Sequence, residues 1–257
     1  MKIIQITDTH LMPHGTNLHG LNPCERLEAC ISSINEFHAD AELCFITGDL
    51  TDQGHREAYH DLREIFRQLK MPYHPLIGNH DHREIFTEVF PEVPLDENGF
   101  VQQMLATEQG RFLLLDTVEH GQHWGSYCEK RGDWLRKQLK DAGSDAVYLF
   151  MHHPPFNIGI PSLDFLSLKN DAKRIQEIVC DFSNIKHLFF GHVHRPVSGS
   201  WHGIPFTTLR GTNHQFQLDL NAVDYLPYSH EPPAYCVIFL EHQQTTVHFH
   251  DYLDDSL

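Results

Sequence analysis

The sequence predicts an α/β protein, with β-helix-β units in its first half and antiparallel strands towards its end. Three observations lead there. Short apolar runs of strand length recur and stop abruptly at Gly, Asp, Asn or His. Between the early runs lie segments whose apolar residues recur at helical spacing. Beyond residue 194 the pattern changes to short strands without intervening helices.

The first run, Ile3–Thr7, ends in Asp8-Thr9-His10, and a loop over Leu11–Leu21 follows. Asn22-Pro23 then starts a helix, with Asn as the N-cap and Pro at the first helical position. Leu27, Cys30, Ile31, Ile34 and Phe37 give that helix one apolar face. Strand Leu43–Thr47 comes next, and a unit of this size implies a parallel crossover. It stops at Gly48-Asp49-Leu50. The turn Thr51-Asp52-Gln53-Gly54 leads into a second amphipathic helix with Ala58, Tyr59, Leu62, Ile65, Phe66 and Leu69 on its face. Strand Tyr73–Ile77 runs into Gly78-Asn79-His80-Asp81, and a short helix covers Arg83–Val89.

The middle is less regular. Phe100–Met104 and Arg111–Asp116 read as strands, and Gly121–Gly125 as a loop beside His120 that holds His123 and Trp124. A helix around Asp133–Ala142 precedes strand Ala146–Met151, which ends in His152-His153. Residues 154–169 form a long, largely apolar loop expected to overhang a site, because long loops in compact domains are usually functional. A helix over about Asn170–Phe182 and a strand over His187–Phe190 lead to Gly191-His192-Val193-His194. Strands Val197–Trp201, Ile204–Thr208, Ala234–Leu240 and Thr245–His250 follow, with an irregular stretch His214–Pro233 among them. With no repeat, low-complexity tract or linker, residues 1–257 read as one domain, whose part 195–257 is mostly short antiparallel strands.

Composition narrows the function classes. The 19 Lys+Arg against 35 Asp+Glu give a formal charge of −16, which argues against a nucleic-acid polymer as partner. A small anionic substrate stays open, since bound cations reverse the local field. No apolar run approaches the roughly 18 residues of a membrane span. Met1-Lys2 leads straight into a strand without a signal-peptide pattern, so a cytoplasmic location is expected. The six cysteines form no C-x-x-C pair and read as reduced and mostly buried. Homo-oligomerisation is left open.

Five strand ends thus deliver Asp, Asn and His to what reads as one edge of a sheet, where α/β folds place their sites. Asp8, His10, Asp49, Asn79, His152, His192 and His194 supply three oxygen-bearing and four imidazole side chains. Mixed sets of this kind suit first-row ions such as Mn, Fe, Co or Zn better than Ca. Seven side chains exceed one tetrahedral ion and match two five- or six-coordinate ions that share a carboxylate. Asp49, at the centre, is expected to bridge them.

These residues resemble the calcineurin-like metallophosphoesterases. Asp8-x-His10, Gly48-Asp49, Gly78-Asn79-His80-Asp81, His152 and Gly191-His192-x-His194 match that family's motif series. Ile6-Thr7-Asp8-Thr9-His10, Thr47-Gly48-Asp49-Leu50-Thr51-Asp52, His152-His153-Pro154-Pro155 and Gly211-Thr212-Asn213-His214-Gln215 look like the branch holding class III cyclic-nucleotide phosphodiesterases and bacterial glycerophosphodiesterases. The resemblance implies a four-layer sandwich, two mixed sheets flanked by helices. It implies one metal on Asp8, His10, Asp49 and His194, and another on Asp49, Asn79, His152 and His192.

The implied activity is hydrolysis of a small phosphodiester by in-line attack of a metal-activated hydroxide. His80 would assist by stabilising charge or protonating the leaving oxygen, and Asn79, His80 and His214 would contact substrate. A 3′,5′-cyclic nucleotide is the first expectation for the substrate, and a glycerophosphodiester or phospholipid head group the alternative. A nuclease or a non-catalytic protein-binding scaffold are competing readings. The acidic balance opposes the first, and the complete ligand set with His80 opposes the second. Asp81 reads either as an orienting partner for an imidazole or as a turn cap. Asp52 reads as turn chemistry or outer support, and His153 as near the site without being a ligand. Phe156, Phe165, Asn170, His123 and Trp124 are candidates for the leaving-group pocket, and Arg83, Arg195 and Arg210 for phosphate contact.

Overall fold

The apolar runs and amphipathic segments become strands and helices close to where the sequence places them. The computed structural model describes residues 1–168, 171–241 and 244–253. The first half runs β1 (Lys2–Ile6), α1 (Pro23–Phe37), β2 (Leu43–Thr47), α2 (Arg56–Phe66), β3 (Tyr73–Leu76) and α3 (Arg83–Val89). Then come β4 (Gln103–Thr107), β5 (Gly110–Leu115), α4 (Glu129–Ala142), β6 (Val147–Met151), α5 (Pro161–Asp164), α6 (Ala172–Cys180) and β7 (Ile185–Phe190). The chain continues through β8 (Ser198–Trp201), β9 (Ile204–Thr208), β10 (Gln215–Phe216), β11 (Tyr228–Ser229), β12 (Ala234–Glu241) and β13 (Gln244–Asp251).

Two mixed sheets result, in the orders β13-β12-β1-β2-β3 and β4-β5-β6-β7-β9-β8, with β10-β11 a separate two-stranded ribbon. Alternation along each strand decides which layer a residue enters. Ile3 and Phe45 point inward and meet Phe112, Phe150 and Phe189 of the second sheet. Ile4, Ile6, Cys44 and Ile46 point outward against Leu27 and Ile31 of α1, Leu62 and Phe66 of α2 and Phe86 of α3. On the far side Leu113, Leu149 and Leu188 receive Leu135 and Leu139 of α4 and Ile175 and Ile178 of α6. The outcome is helix, sheet, sheet, helix.

Capping explains several boundaries. Asn22 accepts from the amides of Cys24 and Glu25, fixing the start of α1. The strand expected over Phe100–Met104 instead begins at Gln103. Asp96 takes the Phe100 amide and Asp116 the Val101 amide, so carboxylates occupy the donors that a strand would use. The expectation of antiparallel strands beyond residue 194 needs one correction. β9 pairs parallel with β7, because β8 crosses to the sheet's far edge before the chain returns beside β7. The 154–169 loop contains one helical turn, α5, steadied by Asp164, which accepts from the Ile158 and Gly159 amides. Asn170, at the expected start of the following helix, lies outside the described residues. All six cysteines are free; Cys24, Cys30, Cys44 and Cys236 are buried, Cys128 is half-buried and Cys180 is exposed.

Candidate metal centre

The C-terminal ends of β1, β2, β3, β6 and β7 open onto one cavity of about 290 Å³. Its lining includes His10, Asp49, Asn79, His80, His192, His194 and His214. Asp8 and His152 lie fully buried beneath. The chain bends sharply to aim these groups. Asp8, His10, Asp49, His192 and His194 all adopt left-handed backbone, with φ of 51°, 45°, 48°, 68° and 48°. Such conformations cost non-glycine residues about 1–3 kcal/mol each, and they cluster where surrounding structure imposes them for function. Glycines make the approach close. A Cβ on Gly48 would stand 2.5 Å from His152 Nδ1, and one on Gly78 2.3 Å from the Asp49 amide nitrogen.

The imidazoles are oriented by their inner nitrogens. His152 Nδ1 donates to Thr47 O at 2.8 Å, His194 Nδ1 to His214 O at 2.8 Å, and His10 Nδ1 to Asp52 Oδ1 at 3.0 Å. Each of these partners can only accept, so each Nδ1 carries a proton and Nε2 is the nitrogen turned towards the cavity. Asp49 Oδ2 lies 3.6 Å from His10 Nε2 and 3.3 Å from His152 Nε2, between the two groups. Asn79 Oδ1 lies 3.2 Å from His152 Nε2. Asp8 Oδ1 lies 3.4 Å from His194 Nε2, and both Asp8 oxygens accept from the His192 amide.

This donor set fits metal ions. His10 Nε2 and His194 Nε2 face each other at 3.2 Å with both Nδ1 hydrogens already committed, an arrangement that a shared cation relieves. His192 Nε2 is buried without a hydrogen-bond partner, the mark of a group awaiting a ligand. Asp8, His10, Asp49 and His194 place four ligand atoms within 4.8 Å of one another. His152, His153 and His192 form a second such group.

Protonation follows the same geometry. Burial opposes the charged form of Asp49, but His152, His80 and His10 outweigh it and hold the carboxyl well below its usual range. Burial likewise opposes charge on His152, yet the Asp49 carboxylate raises it to about 9. His192, dominated by burial, falls to about 3 and stays neutral. His80 is raised; burial works against this, and the charge of Asp49 with the Asp52 carbonyl overcomes it.

Several expectations resolve differently from one another. Asp81 is the turn cap. It accepts from the amides of Leu50, Thr51 and Gly78 and from the Thr51 and Tyr59 hydroxyls, and so clamps the Asp49 loop to the Asn79 loop. Asp52 takes the orienting role: its carboxylate holds His10, and its carbonyl accepts from His80 Nδ1 at 2.8 Å. His153 Nε2 lies 3.1 Å from Asn79 Oδ1, with Nδ1 at 2.8 Å from the Thr117 hydroxyl. His123 reaches the cavity, but Phe156 packs against Phe190, Trp201 and Phe206, and Trp124 is not among the lining residues. Phe165 is 62% exposed and faces an outer groove. Arg83 pairs with Asp116, Arg195 with Glu231 and Arg210 with Asp251, and none of the three lines the cavity. The sequence reading missed His19, Leu163, Leu166, Phe216 and Leu226, which do line it.

The calcineurin-like phosphoesterase family model matches residues 1–196, the stretch that carries Asp8, His10, Asp49, His152, His153, His192 and His194; a further buried group adds His214 to His10 and His194 from beyond it. The chain belongs to that family. A probable cyclic nucleotide phosphodiesterase of Rhodopseudomonas palustris is 39% identical, covering 100% of this chain and 94% of the relative. A probable glycerophosphodiester phosphodiesterase, GpdQ, of Arcobacter nitrofigilis is 31% identical over 96% of this chain and 92% of its own length. A dimetal phosphatase from Danio rerio superposes with a TM-score of 0.72, covering 98% of this chain and 96% of that one at 13% identity, a likeness of fold. Family membership therefore accords with the site that the strand ends build.

Proposed function

We propose that this chain is a binuclear metal-dependent phosphodiesterase acting on a small diester. The observation that carries the reading is the Asp49 carboxylate, set between His10 on one side and His152 on the other. Asp8, His10, Asp49 and His194 would hold one ion, and Asp49, Asn79, His152 and His192 the other. Two first-row ions held there, Mn, Fe, Co or Zn, would supply Lewis acidity and would make a water nucleophilic near neutral pH. The chain's own groups then bind and protonate. His80 Nδ1 is held by the Asp52 carbonyl, so its Nε2 is free to donate to the leaving oxygen. The raised affinity of His80 for its proton suits a general acid. His214, near His10 and His194 at ring distances of 5.0 and 4.7 Å, completes the wall against which the diester would lie.

A 3′,5′-cyclic nucleotide is the first substrate choice and a glycerophosphodiester the second, the activities for which the two relatives above are named. Residues 1–257 are taken as one domain, since strands of both sheets share a core. The test is a panel of cyclic nucleotides, glycerophosphodiesters and a phosphomonoester assayed with Mn, Co and Fe, together with elemental analysis of Asp49→Ala. The reading expects diester cleavage and a clear fall in bound metal per chain in the variant. A fully metallated wild type that cleaves no diester would refute the activity, and full metal occupancy in Asp49→Ala would refute the bridge.

A further inference from the structure

Above its polar floor the cavity has a different chemistry. Leu163 and Leu166, from α5 and the turn after it, and Phe216 and Leu226, from the segment carrying β10 and β11, line it together. Leu163, Phe216 and Leu226 pack in one small cluster with Ile160 and Val193, and the Ser162 amide donates to Ala222 O at 3.1 Å, so the two segments support each other. His19 joins them, edge-on to His214 at 4.6 Å and stacked on Tyr228 at 4.2 Å.

No leucine or phenylalanine of this wall offers a hydrogen bond. A polyol seated there would lose water from its hydroxyls without replacement. An alkylammonium seated against this wall would find no counter-charge in it, because the two carboxylates that line the cavity, Asp49 and Asp52, belong to the polar floor beside His80 and His10. A flat ring loses little: its faces bury against the leucines and stack on imidazole, while its polar edge stays free for water or a histidine nitrogen.

We infer that Leu163, Leu166, Phe216, Leu226 and His19 form a substituent subsite that selects a nucleobase over glycerol or an alkylammonium head group. The inference rests on the diesterase reading and sharpens it to nucleoside cyclic phosphates.

The test compares wild type with Leu166→Asp and Leu226→Ser. Both positions are half-buried at the rim, so a polar group there can reach water. The first readout is kcat/KM for 3′,5′-cyclic AMP relative to glycerophosphoethanolamine, and the second is adenosine binding by calorimetry. The ratio should favour cyclic AMP in wild type and fall roughly tenfold or more in each variant, mainly through KM. Adenosine binding should weaken in parallel. A ratio that does not move, or adenosine binding that neither variant alters, overturns the subsite. Adenosine carries no phosphate, so it reports on the subsite even where no diester is cleaved; a wild type that cleaves no diester yet binds adenosine, with both variants weakening that binding, would count against the diesterase reading alone.

Discussion

The floor and the roof of the cavity are built in opposite ways. The floor consists of strand ends, with Asp8 and His152 fully buried, its imidazoles tied by Nδ1, and backbone forced into left-handed turns. The roof consists of one helical turn, a ribbon of two two-residue strands and connecting chain, with Leu220 60% and Val223 65% exposed. Phosphoryl chemistry tolerates little displacement of the groups that perform it, so the floor is pinned to two sheets. Recognition of the rest of a substrate tolerates more displacement, and the roof is the more loosely built of the two.

The largest effect should come from the floor. His80→Ala keeps every proposed metal ligand and removes the proposed proton donor. kcat should fall roughly 10²–10⁴-fold while metal content, measured by elemental analysis, stays at the wild-type level. Unchanged turnover would remove His80 from the chemistry, and lost metal would move it into the ligand set.

The same contrast explains what the sequence disclosed. The floor was legible because apolar strand runs leave few reasons for Asp49, Asn79 or His192 to follow them except a shared site at the sheet edge. The capping role of Asp81 was not legible, since an Asp beside a His serves equally as a cap or as an orienting partner. The structure decides it through five donors that converge on Asp81, three of them backbone amides. The roof was legible only as a stretch of chain: the 154–169 loop was expected to overhang the site and does supply Leu163 and Leu166, but no single side chain of the roof was marked. Leu163, Leu166 and Leu226 occupy stretches without helical or strand periodicity, and His19 is one of 22 histidines. Their role arises from tertiary packing, such as the contact between Ser162 and Ala222 across some sixty residues of chain.

An intermediate effect belongs to the layer just under the floor. His153 reaches Asn79 Oδ1 from one nitrogen and the Thr117 hydroxyl from the other. Burial and the neighbouring His192 and His152 push its proton affinity well down, so it remains neutral and holds a single tautomer. Thr117 then donates to Nδ1, and Nε2–H fixes the amide oxygen of Asn79 towards the centre. His153→Ala should weaken metal binding roughly 10–100-fold in a titration, with recovery in His153→Gln, whose amide can still donate. Equal affinity in all three proteins would reduce His153 to packing.

The smallest effect should come from the roof's outer surface, where it would mark the boundary between the two regions. Leu220→Ser and Val223→Ser remove side chains already in contact with water, so stability should change by no more than about 0.5 kcal/mol, read as Tm. Ile46→Ala in β2, fully buried beneath α1 and α2, should by contrast cost about 2–5 kcal/mol. Limited proteolysis supplies the kinetic counterpart. Cleavage should fall first between residues 217 and 227, where the short β10–β11 ribbon and a few single hydrogen bonds such as Ser162–Ala222 hold the backbone, and the sheets should stay intact after that nick. A melting temperature as sensitive to Val223 as to Ile46, or a first cut within β1 or β2, would mean that roof and floor unfold together, and that the roof is not the more loosely held of the two.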